Sequence, residues 1–394
     1  MSFQNPENKS FKILALDGGG MRGVVTLQIL EKVQELIGKD QPFNEYFDII
    51  AGTSTGAIIA AGLAIGKKTE ELKKIYQERG YEIFHSSCKR DLPQEVQTLL
   101  PGPKYSNEGL IKVLREELKP QGVDQEITLG EVNNISSAEL LIFAYDTFHR
   151  NTTFFTSKGE PNRWFNNMKL WEVCTSSASA PTFFPPYEFT WIDPKCPEKG
   201  ELKFTHVDGG VGANCPEIAA LSHAMLRGAT LENISLLSIG TGRTTKPITY
   251  EAMKDWGSLG WATKIPDIFM GSQAQISTDA CKQIFKAINP DGYLRLQFDI
   301  NEAFEERGSL CEPEQLIAPQ EQKNKWINDN INEEIDNINE KNIDNLLKAA
   351  DIFASAQKEE MQNFIDHIKK SQDKFSQEQL EGEQQKELLA NLFQ

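Results

Sequence analysis

Phe47-Asp-Ile-Ile-Ala-Gly-Thr-Ser-Thr-Gly-Ala-Ile-Ile-Ala-Ala60 decides how the rest of the chain is read. Its first five residues form an apolar, strand-like run, and the segment after Gly56 is rich in Ala and Ile, as a buried helix is. Between them, Gly52-Thr-Ser-Thr-Gly56 predicts a sharp strand-to-helix turn, because glycine at the flanking positions lets backbone pass very close. Ser54 then projects beside the amides and the positive end of the new helix, the environment an attacking serine needs. A pentapeptide of this form also arises by chance, so the plain alternative is a tight junction of small residues. A membrane span is a further alternative, since Ile49 to Gly66 carries no charge; its four glycines and three hydroxyls favour a packed turn and helix.

Working outward, Phe11-Lys-Ile-Leu-Ala-Leu16 reads as a first parallel strand, and Val24 to Ile37 has helical spacing. Asp17-Gly-Gly-Gly-Met-Arg-Gly23 joins them, and a glycine loop opening a helix converges unpaired amides on one point, where an anion binds. Gly18, Gly20 and Gly23 match the dinucleotide fingerprint, which asks for an acid at the end of the next strand; Asp48 lies near its start instead. The other use of the loop is an oxyanion hole serving Ser54, with Asp17 and Arg22 fixing the loop or supporting its charge.

Further along, Leu72–Tyr81 and Asn107–Leu118 read as helices, and the polar, proline-containing stretch from His85 to Tyr105 as irregular. Glu139–Tyr145 and Asn151–Thr156 read as strands, and Trp171–Ala180 as a small-residue helix ended by Pro181. Phe204-Thr-His-Val-Asp-Gly-Gly210 and Ile234–Gly242 are strands closing on glycine turns. Strands alternating with helices imply an α/β sheet whose site lies at the carboxyl ends of its strands. Beyond about residue 296, Ile327, Ile331, Ile335 and Ile338, and then Met361, Phe364, Ile365 and Ile368, make apolar stripes at helical spacing.

The net charge of −16 is uneven: residues 1–295 hold 31 Lys/Arg against 35 Asp/Glu, so the last 99 residues carry −12. Without a basic stripe the chain has no footprint for nucleic acid, and any membrane contact must be mainly hydrophobic. The six cysteines and five histidines show no metal or disulfide spacing, so no metal or cofactor is expected. The polar start Met1–Ser10 lacks the apolar core of a signal peptide, and a cytoplasmic, reduced setting is expected.

Five blocks in this order, Asp17–Gly23, Gly52–Gly56, Ser177-Ala-Ser-Ala-Pro-Thr-Phe-Phe184, Asp208-Gly-Gly210 and Ile239-Gly-Thr-Gly242, make the chain resemble the patatin-like phospholipase family over roughly residues 10–300. Tyr293-Leu-Arg-Leu-Gln297 and the helical part up to about Ala356 look more loosely like the corresponding part of plant patatins. The resemblance implies a three-layer α/β/α fold with a mostly parallel central sheet and added C-terminal helices. Together with the shift to an Asn-, Glu-, Gln-, Ile- and Lys-rich composition beyond about residue 296, it divides the chain into a catalytic domain (1–300), a helical extension packing on it (301–370) and an acidic tail of disordered composition (371–394). It also implies a lipid acyl hydrolase with a Ser-Asp dyad: Ser54 as nucleophile, Asp208 as general base, Gly18, Gly19, Gly20 and Arg22 at the oxyanion hole, and Gly23, Gly52, Gly56, Gly209 and Gly210 supporting the turns. The substrate would be a phospholipid or another acyl lipid, met in transient contact with a membrane surface.

One departure concerns Asn214-Cys215-Pro216, where the family usually has Asn-Asn-Pro. The resemblance leaves two alternatives open: a Ser-Asp-His triad, for which His223 and His367 qualify by order, and a latent or regulatory lipid-binding protein that needs an activator. His206, two residues before Asp208, reads as packing. Trp256, Leu259, Trp261, Ile265, Ile268, Phe269 and Met270 read first as core and alternatively as a surface that dips into a lipid interface.

Overall fold

The computed structural model describes residues 10–84, 102–159, 163–245, 248–301, 327 and 330–373. Most of the His85–Tyr105 stretch, the greater part of 301–329 and the tail from 374 onward therefore lie outside the described residues.

Five parallel strands make up one side of an eight-stranded sheet, from the edge strand inward: β8 (Tyr293–Leu296), β7 (Ile234–Ile239), β1 (Phe11–Leu16), β2 (Ile49–Thr53) and β3 (Glu139–Asp146), in that spatial order. Leu14, Leu16, Ile50, Ile142 and Leu237 point to one face and Ile13, Ile49, Leu141 and Leu236 to the other, and all are buried. A strand covered on both sides cannot alternate polar with apolar residues, which is why these segments read as continuous hydrophobic runs.

Helices cover both faces. On the first lie α1 (Gly23–Ile37), α2 (Thr55–Ala64), α3 (Thr69–Ile83), α4 (Glu108–Glu117) and α5 (Leu170–Ala178). On the second lie α6 (Glu217–Leu226) and the end of α7 (Ser258–Ile288), through Leu221, Ala224, Cys281 and Phe285. All ten residues of α2 are buried, so this helix has no polar face and depends wholly on its neighbours. The charge-free run Ile49 to Gly66 is thus split between β2 and α2, and no helix among the described residues is long and apolar enough to cross a membrane.

Two strands run against the parallel set, β4 (Asn151–Thr156) and β6 (Glu201–Asp208), while β5 (Tyr187–Ile192), antiparallel to β6, runs with the set. β4 occupies one edge of β3 from Leu141 to Asp146. β6, which pairs with Ala144 to Asp146, must then use the opposite edge, the one that β2 uses from Glu139 to Phe143. β2 and β6 therefore approach from opposite directions along one edge of β3 and meet end to end.

The C-terminal part differs from its sequence reading. Ile331, Ile335 and Ile338 are spaced for a helix, yet 330–339 is a strap that holds no helix and bends at a single turn, where the Asn337 amide donates to the Glu334 carbonyl. Asparagine side chains take over its backbone. Asn301 both accepts from the Ile331 amide and donates to the Ile331 carbonyl, Asn342 does the same at Asn332, and Asn332 and Asn337 accept from the Glu334 and Asn339 amides. Such local bonds compete with the helical ladder and here displace it. Helix resumes at α8 (Glu340–Ala356), which packs on α1, and again over 358–373, where Met361, Phe364, Ile365 and Ile368 are buried.

Candidate active site

The turn from β2 into α2 puts Ser54 at φ 55°, ψ −120°, a conformation costly for a residue with a side chain. Glycine on either side permits it: a Cβ on Gly52 would lie 2.1 Å from the Gly56 carbonyl oxygen, and one on Gly56 would lie 2.2 Å from that of Leu16. The Ser54 amide donates to Ser177 Oγ at 2.9 Å, and that hydroxyl donates to the Phe143 carbonyl at 2.6 Å. Ser177, at the end of α5, thus ties the strained serine to β3.

The same stretch holds the opposing strand end. The Asp208 amide donates to the Ser179 carbonyl and the Gly209 amide to that of Ser177. Gly209 must be glycine-sized, since a Cβ there would sit 2.2 Å from the Phe143 oxygen. Ser54 Oγ donates to Asp208 Oδ2 at 2.6 Å, and the Gly210 amide donates to Oδ1 at 2.7 Å. Burial pushes the Asp208 carboxyl up to about 6, against the pull of these two hydrogen bonds. A carboxylate that holds its proton more tightly is a better acceptor for one from an alcohol.

The glycine loop after β1 lies alongside; a Cβ on Gly18 would meet Asn214 Oδ1 at 2.4 Å and Ser54 Cβ at 3.3 Å. The Gly18 amide is spent on the Asn214 carbonyl at 3.0 Å, and Thr241 Oγ1 donates to the Gly18 carbonyl at 2.9 Å. No hydrogen bond among the described residues uses the Gly19 or Gly20 amide. Gly20, at φ +58°, lies against the strap, where the Met21 amide donates to the Ile335 carbonyl at 2.7 Å. Arg22 turns the same way: its guanidinium donates to the Glu333 carbonyl at 3.3 Å and is not part of the wall around Ser54. Gly23 packs on Thr55 and Tyr76, where a Cβ would be 2.4 Å from Thr55 Oγ1, and Gly210 faces Asn214 and Asp208.

Ser54 and Asp208 open into an apolar pocket walled by Ile58, Tyr76, Phe84, Phe184, Met270 and Ile335. The strap and α7 thus both reach the site. α7 is less buried than its composition suggests, for Phe269 is 54% exposed and Ile276 70% exposed while Met270, next to Phe269, faces the pocket. The reading of this segment as core is corrected accordingly.

None of the described histidines touches the pair. His223 bonds Glu139 at 2.9 Å at the start of β3, the far end of the strand from Ala144, and His367 lies in the C-terminal helix near Ser371. His206 is buried in an aromatic stack with Trp164 and Phe204, and burial pushes it down to about 4. The described residues contain no cluster of three metal-ligating side chains. Asp48 accepts from the Lys12 amide at the entrance to β2, away from the end of that strand where a nucleotide ribose would need it.

Residues 14–221 match the family model described as patatin-like phospholipase, and those residues include the glycine loop, the Ser54 turn and the Asp208 turn. The chain belongs to the patatin-like phospholipase family. Patatin-like protein 1 of Arabidopsis thaliana is 31% identical over 322 residues, covering 73% of this chain and 74% of its own length. Patatin-T5 of Solanum tuberosum is 28% identical over 313 residues, covering 72% and 75%. Among solved structures, human GIVD cytosolic phospholipase A2 (12% identity, TM-score 0.42) is a distant likeness, covering 91% of this chain; the chain spans 61% of its length. Membership supports a lipid acyl hydrolase activity for this patatin-like chain.

Against the family pattern Asn-Asn-Pro, Cys215 is buried with its thiol 3.9 Å from Ser238 Oγ and its amide on Gln273 Oε1. The neighbouring Asn214 carbonyl still holds Gly18, so the turn of this patatin-like protein is intact. Ser177 is the site residue that sequence reading missed. Its signal was present in the block Ser177-Ala-Ser-Ala-Pro181, but a serine at the end of a small-residue helix reads as packing until its hydroxyl is seen bridging two strands.

Proposed function

We propose that this patatin-like protein hydrolyses fatty-acyl esters of phospholipids or related acyl lipids through a Ser-Asp dyad, and that the 2.6 Å hydrogen bond from Ser54 Oγ to Asp208 in a buried apolar pocket is the observation that carries this reading. Asp208 takes the hydroxyl proton as Ser54 attacks the ester carbonyl. The negative oxygen of the tetrahedral intermediate is met by the free amides of Gly19 and Gly20, while Gly18 shapes the loop and Arg22 fixes it to the strap. Collapse expels the alcohol, which takes the proton back from Asp208, and leaves an acyl-Ser54 ester. Water then attacks that ester with Asp208 again as base, releasing the fatty acid.

The apolar walls suit an acyl chain, and the exposed apolar side chains of α7 beside Met270 suit a lipid surface, so substrate would enter from a membrane in transient contact. Release of free fatty acid from mixed phospholipid vesicles in the presence of a calcium chelator, by the parent and by Ser54→Ala and Asp208→Asn, tests the reading. Activity in the parent and its loss in both folded variants is the expected result. An Asp208→Asn variant that keeps most of its rate refutes the dyad, and a parent silent even with cell extract added refutes the hydrolase.

A further inference from the structure

Beneath the glycine loop lies a buried ion pair with no part in the chemistry above. Arg295 on β8 is level with Ser238 on β7, and Ser238 is level with Ala15 on β1. Residues two apart on a strand share a face, so Asp17, just past the end of β1, lies on the same side as Ala15. The Arg295 side chain passes over Ser238, donating to its hydroxyl at 2.7 Å, and ends on Asp17: Nη1 reaches Oδ1 at 2.9 Å and Nη2 bonds Oδ2. The two side chains are 11% and 3% exposed.

A pair this deep is a weak source of stability, because taking both charges out of water offsets most of their attraction. Arg295 Nε, moreover, has no partner among the described residues. What a two-pronged guanidinium supplies is orientation. The residues that need orienting follow directly, since Gly18, Gly19 and Gly20 have no side chains with which to hold themselves. Their other fixings are one hydrogen bond from Thr241, one to Asn214, and the backbone bonds of the turn itself, from the Arg22 amide to the Gly19 carbonyl and from the Gly23 amide to that of Gly20.

We propose that Arg295 is a positioning residue for the reaction proposed above: it holds Asp17, and through it the Gly18–Gly20 loop, so that the Gly19 and Gly20 amides stay aimed at the oxygen that becomes negative when Ser54 attacks. The inference rests on the Ser-Asp reading and adds to it the group that keeps the oxyanion site in place.

The test uses Arg295→Gln and Arg295→Lys in the full chain, with the parent and Ser54→Ala alongside. A soluble p-nitrophenyl butyrate assay gives kcat and KM, inactivation by an alkyl fluorophosphonate reports the same oxyanion site, and thermal melts establish folding. Arg295→Gln is expected to lower kcat and the inactivation rate about 100-fold with KM within about twofold, the scale of losing one oxyanion donor. Arg295→Lys recovers part of the loss, because an ammonium keeps the charge but not the fork. A folded Arg295→Gln variant with unchanged kcat, or one whose loss lies in KM, overturns the positioning role while leaving the dyad standing. If neither variant folds, Arg295 serves the fold instead, and the proposal is again wrong. A silent parent, or a Ser54→Ala variant that keeps its rate, defeats the Ser-Asp reading and takes the positioning role with it.

Discussion

Ser54 Oγ and Asp208 Oδ2 are 2.6 Å apart although 154 residues separate them and their strands run in opposite directions. They meet because β2 and β6 share one edge of β3, Thr53 pairing with Phe143 and Asp208 with the next residue, Ala144. A slip of one residue in the three-residue β6–β3 pairing would turn Asp208 to the other face of the sheet. The bonds from Ser177 and Ser179 to both strand ends guard against that slip.

Removing either member of the pair is expected to abolish turnover without unfolding the protein. Ser54→Ala and Asp208→Asn should each lower kcat by about 10⁴-fold or more, and the double variant should be little worse than either, since the two act as a unit. Kinetics on a soluble ester, with circular dichroism as the folding control, reads this directly; a double variant far slower than both singles would mean the residues act independently.

The raised Asp208 carboxyl has two consequences with pH. As the base it must be ionised, so kcat/KM is expected to rise with pH through about 6 and then level off. For stability the sign is opposite. A folded-state value of about 6 against an ordinary 3.8 favours the protonated protein, a contribution present in full below about 3.8 and lost as pH rises through about 6. Asp208→Asn should therefore melt close to the parent at pH 4 and above it at pH 7, by up to roughly 3 kcal/mol. A gap that does not change with pH contradicts the desolvation of this carboxyl.

Two glycines should respond in opposite senses. Gly56→Ala drives a methyl to 2.2 Å from the Leu16 carbonyl oxygen and is expected to cost about 3 kcal/mol or more. Gly271→Ala, exposed on α7 with nothing within 4 Å of the new carbon, should stabilise by up to about 1 kcal/mol through helix propensity. Denaturant melts of the two variants decide the matter.

The strap is latched where Asp336, itself buried, accepts from Lys104 at 2.5 Å and from the Tyr105 hydroxyl at 2.6 Å. Asp336→Ala leaves both donors without this acceptor and should cost about 1–3 kcal/mol. Since Ile335 walls the pocket, hydrolysis of long-chain lipid should fall more than that of a short soluble ester. Equal losses on both substrates would separate the strap from acyl binding.

Replacing Trp261 and Phe269 together with serine is expected to slow vesicle hydrolysis about tenfold and leave the soluble ester rate unchanged, because Phe269 is more exposed than buried. Unchanged vesicle rates in the folded variant would remove α7 from the lipid contact.

The parallel strands were legible because a strand buried on both faces is built mainly of apolar residues, as Ile13–Leu16 of β1, Ile49–Ala51 of β2, Leu140–Ala144 of β3 and Leu236–Leu237 of β7 are. The strap was not. Its isoleucines are spaced like a helical stripe, and the asparagine bonds that undo the helix involve Asn301 and Asn342, which lie outside it. The direction of β6 was hidden too, because a strand ending in Asp-Gly-Gly reads the same in the sequence whether it runs with its neighbour or against it.

By itself, the sequence determined the turns: Gly52, Gly56 and Gly209 stand where no side chain fits against the neighbouring backbone, and that steric demand is local enough to leave a mark in the spacing of residues. Only the tertiary structure decided what the turns enclose. The meeting of β2 with β6, the passage of Arg295 over Ser238 to Asp17, and the closure of the pocket by Ile335 each join residues far apart in the chain. Such contacts follow from sheet order and strand direction, properties of the assembled chain that no single segment carries.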